Sequence, residues 1–166
     1  RDRVIAPDDT ITPAFLLEWE GRGLGMRVQT AIQSEPKGTG HAVQCALESD
    51  PVPSGVMWVL ANGDNLPTRS ALSRLRTEGA GPAVLAYDRN ALGLDLAKTM
   101  AFAVLEGDGT TVHRITEKPD SSVVERLAAS GSVRVSMNYF RLDGERLQTH
   151  LAALAPHPER GELELP

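Results

Sequence analysis

Short apolar runs alternate along this chain with stretches whose apolar positions recur at helical spacing. Residues 11–20 (ITPAFLLEWE) predict a helix, and the turn Gly21-Arg22-Gly23-Leu24-Gly25 leads into a strand at 26–32 whose Val28, Thr30 and Ile32 share one face. A Pro/Gly loop then opens a helix in PKGTGHAVQCALE, with Ala42, Cys45 and Ala46 on one side. The run VMWVLA at 56–61 is continuously apolar, the pattern of a parallel strand buried on both faces, and it stops at Asn62-Gly63-Asp64-Asn65. A helix at 68–78 and a strand at 82–87 come next, followed by strands at 101–106 and 111–117 joined as a hairpin through Gly107-Asp108-Gly109. A helix at 121–129, a strand at 133–140 and a helix at 143–154 complete the series. Strands alternating with helices predict an α/β domain of three layers, α/β/α, around a mostly parallel sheet, one domain over residues 1–166.

Composition narrows the functional classes. With 41% hydrophobic and 23% charged residues the chain reads as folded and globular. A net charge of −5 opposes binding to a nucleic-acid backbone, which calls for clustered Lys and Arg. The single cysteine, Cys45, forms no internal disulfide, and no apolar run reaches membrane-spanning length, so a soluble cytoplasmic protein is expected. The four histidines have no metal-ligand spacing, and no Ser, His and acid constellation is legible. The GRGLG string precedes a strand, the wrong order for holding a pyrophosphate at a helix N-terminus.

Two features carry candidate chemistry. Asn62-Gly63-Asp64 follows an apolar strand, where open parallel sheets bind ligands, and Asp64 is an oxygen ligand suited to Mg²⁺. Spacing alone equally allows Asp64 to make a turn with Gly63. The second feature is Gln33 with Gly38-Thr39-Gly40-His41-Ala42: glycines permit close backbone approach to a flat ligand, and Gln offers an amide to a base edge. Standing alone, that loop reads as a tight strand-to-helix connection.

Taken in order, QSEPKGTGHAVQCAL, VLANGDNLP, ITEKP, VSMNYF and RGELELP resemble successive motifs of sugar-1-phosphate nucleotidyltransferases. The GTGHA string is most similar to bacterial N-acetylglucosamine-1-phosphate uridylyltransferases, and VSMN to a broader group of nucleotidyltransferase-like proteins. The resemblance implies a nucleotide-diphospho-sugar transferase fold, with a nucleoside triphosphate and a sugar 1-phosphate as partners and Mg²⁺ as cofactor. It implies that Gln33, Gly38, Thr39, Asn62 and Gly63 lie at the nucleotide and that Asp64 binds the metal. Glu117, Ser136, Asn138 and Glu162 would meet the sugar, while Lys118 would neutralise its phosphate. An exposed strand-end ion pair is the structural alternative for Glu117 and Lys118.

The family's glycine-rich triphosphate signature has no counterpart here, and its Tyr-Gly before the hairpin is replaced around Met100-Ala101-Phe102. A second metal ligand usually lies beyond the equivalent of Pro166. The expectation is a segment of a longer domain. Rival readings are a non-catalytic nucleotide-sugar-binding or assembly module and a cytidylyltransferase acting on a non-sugar acceptor.

Overall fold

The computed structural model describes residues 31–49, 51, 53, 55–63, 66–95, 100–158 and 160–165. The helix expected at 11–20, the turn at 21–25, most of the strand expected at 26–32, and Asp64 lie outside the described residues. The chain divides into two compact units, Arg1–Ser54 with Gly144–Leu165, and Gly55–Asp143.

In the Gly55–Asp143 unit, each short apolar run becomes a strand and each run at helical spacing a helix. The order is β1 (Met57–Ala61), a helix at Arg69–Thr77, β2 (Ala83–Asp88), a 3₁₀ turn at Arg89–Leu92, β3 (Val104–Gly107), β4 (Val112–Thr116), a helix at Ser121–Ala129, and β5 (Arg134–Asp143). Both helices begin on a side-chain oxygen: Thr68 Oγ1 accepts from Ala71 N at 3.2 Å, and Asp120 Oδ1 accepts from Val123 N at 3.0 Å. These bonds satisfy backbone donors that a helix start leaves without carbonyl partners. β3 and β4 form the expected hairpin, Val104 facing Thr116 and Leu105 facing Ile115.

The sheet overturns the expected parallel, three-layer architecture. Five strands form a sheet in which β1, β2 and β3 each pair antiparallel with β5. Phe140 pairs with both Leu60 and Val84, so β5 lies between β1 and β2. Val135 pairs with both Tyr87 and Val104, so β5 also lies between β2 and β3. β1, β2 and β3 therefore run in one direction, as strand and helix alternation requires, but the reversed strand takes every ladder between them. Alternation reports chain direction; it is blind to which strand supplies the hydrogen bonds. VMWVLA is correspondingly not buried on both faces: Val56 is 42% and Val59 36% exposed, and β1 pairs with β5 alone among the described residues.

In one core cluster Val104, Val133 and Val135 meet Val124 of the 121–129 helix, with Tyr87, Phe102 and Leu127 packed around them. Arg141, only 4% exposed, donates Nε and Nη2 to Gly81 O at 3.0 and 2.6 Å and so ties the loop before β2 to the central strand.

In the other unit, α1 (Thr39–Ser49) packs with α2 (Gly144–Ala152). Leu47, Leu147 and Leu151 are buried, and Gln44 Nε2 donates to Leu151 O at 2.7 Å. No helix among the described residues is long and apolar enough to cross a membrane.

Candidate functional site

In the sheet unit, the candidate site grows from an interruption in pairing along one edge of β5. β2 pairs on the opposite edge with Arg134 to Ser136 and with Phe140 and Arg141. On this edge, β3 pairs at Val104 with Val135, and Ser136 N donates to Ala103 O at 2.9 Å. β1 takes over only at Ala61 opposite Tyr139. Met137 and Asn138 fall between the two strands. Asn62 and Gly63 continue from the β1 end of this interval. Glu117 and Lys118 follow Thr116, which pairs with Val104 at its other end. Register thus assembles three separate sequence motifs, ANG, TEK and SMN, around one break in the sheet.

The backbone at the break is specialised. Asn138 has φ 59° and Lys118 has φ 43°, and they are the two non-glycine residues with positive φ among those described. Left-handed geometry is disfavoured for L-residues and best tolerated by Asn and Gly. Asn138 N donates to Ser136 Oγ at 3.1 Å, and Ser136 is 3% exposed. That bond turns the chain within the strand, and β2 accommodates the turn by a register shift between Val84 and Ala86. Asn62 is half-buried, whereas Gly63, Glu117 and Lys118 are exposed. Of the residues expected at a ligand, Asn62, Gly63, Glu117, Lys118, Ser136 and Asn138 share this sheet region. Asp64 lies outside the described residues.

The remaining candidates, Gln33, Gly38, Thr39 and Glu162, belong to the helical unit. There the GTGHA and GELEL segments meet through their backbones. Leu163 N donates to Lys37 O at 2.7 Å, Gly40 N donates to Leu163 O at 2.7 Å, and Leu165 N donates to Thr39 Oγ1 at 3.0 Å. The glycines follow from this approach. A Cβ on Gly38, at φ 95°, would sit 2.5 Å from Leu163 O, and one on Gly40 would sit 2.7 Å from Leu154 Cδ2. Close backbone passage, expected toward a flat ligand, is here a passage toward residue 163.

Gln33 is likewise engaged. Its Nε2 donates to Gly38 O at 3.0 Å and lies 3.0 Å from His41 Nδ1. A carbonyl accepts only, so both amide protons are used, and His41 Nδ1 is the acceptor. The neutral ring then carries its proton on Nε2, 3.7 Å from Cys45 Sγ. For a ligand, Gln33 retains an acceptor, Oε1, and no donor. Glu162 O accepts from His157 N at 2.8 Å, and its carboxylate lies 4.0 Å from Arg160 Nη1. At the loop entrance, Lys37 Nζ is 2.7 Å from the Glu35 carboxylate, and this hydrogen bond and charge hold Glu35 below the ordinary carboxylate pKa. His41 carries no sequence signal as a loop organiser, because its partner Gln33 lies eight residues away across a glycine turn.

Among the described residues no group of three or more His, Cys, Asp or Glu side chains gathers in metal-binding geometry. No model of a known protein family matches the chain, and no curated protein matches it at a significant level.

Proposed function

We propose that this chain contributes the acceptor side of a nucleotidyltransferase that forms a nucleotide sugar and pyrophosphate from a nucleoside triphosphate and a sugar 1-phosphate. The observation that carries this reading is the convergence of Asn62-Gly63, Glu117-Lys118 and Ser136 to Asn138 at the break in pairing along β5. An acceptor carboxylate, a mobile-headed cation and a bent strand fit a polyhydroxylated ligand bearing one phosphate.

In the reaction, an oxygen of the sugar phosphate attacks the α-phosphorus of the triphosphate, and pyrophosphate leaves. The phosphate is already a nucleophile, so positioning and charge neutralisation are what the protein must supply. Lys118 would neutralise the acceptor phosphate, Glu117 would accept from sugar hydroxyls, and the Ser136 to Asn138 bend would fix the sugar's orientation. Mg²⁺, when bound, supplies positive charge to the phosphates. Asp64, with oxygens of the substrate phosphates, is the residue that would hold it.

The test is pyrophosphate release by the full-length protein with Mg²⁺, each nucleoside triphosphate and a panel of sugar 1-phosphates, alongside direct measurement of nucleotide-sugar binding. Release with one triphosphate and sugar phosphate pair is expected. Binding without release would assign a non-catalytic nucleotide-sugar module, and release only with a non-sugar acceptor would assign a cytidylyltransferase-type reaction. Neither binding nor release would overturn the reading.

A further inference from the structure

Asn62 is followed by Gly63, and this is the one Asn-Gly pair in the sequence. The ladder between β1 and β5 ends at Ala61, so the pair lies just past the last held residue of the strand. Neither the Asn62 side chain nor the Gly63 N–H has a hydrogen-bond partner among the described residues. A Cβ placed on Gly63 would meet nothing within 4 Å, so the space over the Gly63 backbone is open. An Asn side chain before an unhindered glycine has what intramolecular imide formation requires: a carboxamide carbon next to a backbone nitrogen with no side chain in the way.

We propose that Asn62 is a self-modification site, converted through a cyclic imide with the Gly63 nitrogen into aspartate and isoaspartate. The Gly63 N–H gives its proton to hydroxide, and the nitrogen attacks Asn62 Cγ. The Cγ–Nδ2 bond breaks, and Nδ2 leaves as ammonia after taking up a proton from water. Water then opens the imide at either carbonyl. The net change consumes one water and releases one ammonia; nothing is oxidised or reduced. Either product places a carboxylate at the end of β1, and the isoaspartate also lengthens the backbone between Ala61 and Gly63 by one methylene. Either product thereby adds a negative charge beside Asp64 in the sequence, in the sheet region that carries Lys118.

The molecule contains its own comparison. Asp108-Gly109 is a similar dipeptide in a similarly open turn, since a Cβ on Gly109 would also meet nothing within 4 Å. Its side chain is immobilised: Asp108 Oδ1 accepts from Thr110 N at 2.9 Å, Thr110 Oγ1 at 2.8 Å and Thr111 N at 2.7 Å. Those bonds also hold the carboxyl well below its ordinary pKa and hence ionised, a form that resists nucleophilic attack. Asp143-Gly144 is protected differently, because Gly144 is buried as the first residue of its helix.

The modification stands whether or not the proposed transferase reaction does, and its readout is mass, not activity. The experiment incubates the folded protein at neutral and mildly alkaline pH, digests it, and follows the Asn62 peptide by mass spectrometry and chromatography. Expected are replacement of an amide NH by oxygen, separable aspartate and isoaspartate forms, and a rate that rises with pH. The peptide containing Asp108 should remain unchanged. Gly63→Ala should slow conversion by about tenfold or more. Its added methyl meets no neighbour and Gly63 is not among the positive-φ glycines, so this variant retains the fold. An unmodified Asn62 peptide under conditions that convert the urea-unfolded protein, or an unchanged rate in Gly63→Ala, would overturn the proposal.

Discussion

The backbone N–H of Asn138 donates to the hydroxyl of Ser136, two residues earlier in the same strand, at 3.1 Å. With Asn138 at φ 59°, this bond holds the turn where β5 passes from β3 to β1 as its neighbour. Asn138→Gly should preserve stability, because glycine takes positive φ without a Cβ clash. Asn138→Val should lose about 1–2 kcal/mol, since a β-branched side chain opposes the left-handed region. Ser136→Ala should lose a similar amount by stranding an N–H beside a buried position. Urea unfolding of the three variants checks this, and equal stability of Asn138→Gly and Asn138→Val would show that the left-handed backbone is not required.

Lys118 combines a strained backbone with an exposed charge, so its two roles can be separated. Lys118→Gly removes the positive-φ cost and should leave thermal stability equal or higher. If the ammonium neutralises the acceptor phosphate, the same variant should lower kcat/KM for the sugar phosphate by about thirtyfold, as should Lys118→Ala. Lys118→Arg should recover part of the loss, because a planar fork replaces a compact charge. Steady-state kinetics with the sugar phosphate varied decides the matter, and an unchanged kcat/KM in Lys118→Gly would remove the assigned role.

Part of the backbone layout of this region is legible in the sequence, and the reasons differ by residue. Gly63, Lys118 and Asn138 sit at element ends or bends, which turn chemistry and the alternation of apolar runs locate well. The 121–129 helix emerged with its expected bounds because Asp120 caps it and Val123, Val124 and Leu127 recur at helical spacing. Strand partnership was not legible: nothing in VSMNYF says that it runs against VMWVLA and AVLAYD and pairs with both. What Gly38 and Gly40 approach is not legible for the same kind of reason. A glycine announces close approach but does not say what approaches, and here Leu163 lies more than a hundred residues along the chain.

The contact between residues 37–40 and 163–165 should fail when either glycine acquires a side chain. Gly38→Ala combines positive φ with a 2.5 Å clash against Leu163 O, a backbone atom with no rotamer to move. Gly40→Ala clashes at 2.9 Å with the same oxygen and at 2.7 Å with Leu154 Cδ2, which can rotate away in part. Each should cost about 1–3 kcal/mol, Gly38→Ala the more, by analogy with overpacked cores. Hydrogen exchange at the Gly40 and Leu163 amides should accelerate in both variants. Unchanged protection would mean that the two segments do not depend on this approach.

Acid should expose the contribution of Asp108 and Asp120. Backbone N–H groups of Thr111 and Thr110 and the Thr110 hydroxyl hold the Asp108 pKa far below its ordinary value, and the Ser122 hydroxyl with Val123 N lowers that of Asp120. A carboxyl whose folded pKa is depressed adds stability that is complete above the unfolded value and is lost as pH falls through the folded one. Asp108→Asn keeps an acceptor oxygen but no longer titrates. The melting-temperature gap between wild type and Asp108→Asn should therefore be widest near neutrality and narrow as pH drops below the ordinary aspartate range. A gap independent of pH would mean that the charge contributes nothing.

Gln33 and His41 make the most specific claim on protonation in the helical unit. Gln33 Nε2 faces Gly38 O and His41 Nδ1, each at 3.0 Å, and both contacts require the nitrogen end of the amide as donor. His41 Nδ1 must then be the bare nitrogen, with the ring proton on Nε2 toward Cys45 Sγ. Nitrogen-15 NMR of the imidazole at neutral pH should show that tautomer in the wild type and a mixture in Gln33→Ala, where nothing selects it. Gln33→Glu is the sharper variant, because it replaces both donors by acceptors and sets a carboxylate against the Gly38 carbonyl. At neutral pH it should cost about 1–3 kcal/mol, the penalty of unpaired and repelling polar groups. Gln33→Ala removes the donors without adding a repelling charge and should cost less. Urea unfolding of both variants at neutral pH separates the two cases. A Gln33→Glu variant no less stable than Gln33→Ala would mean that the amide donors do not hold the Gly38 carbonyl and the imidazole.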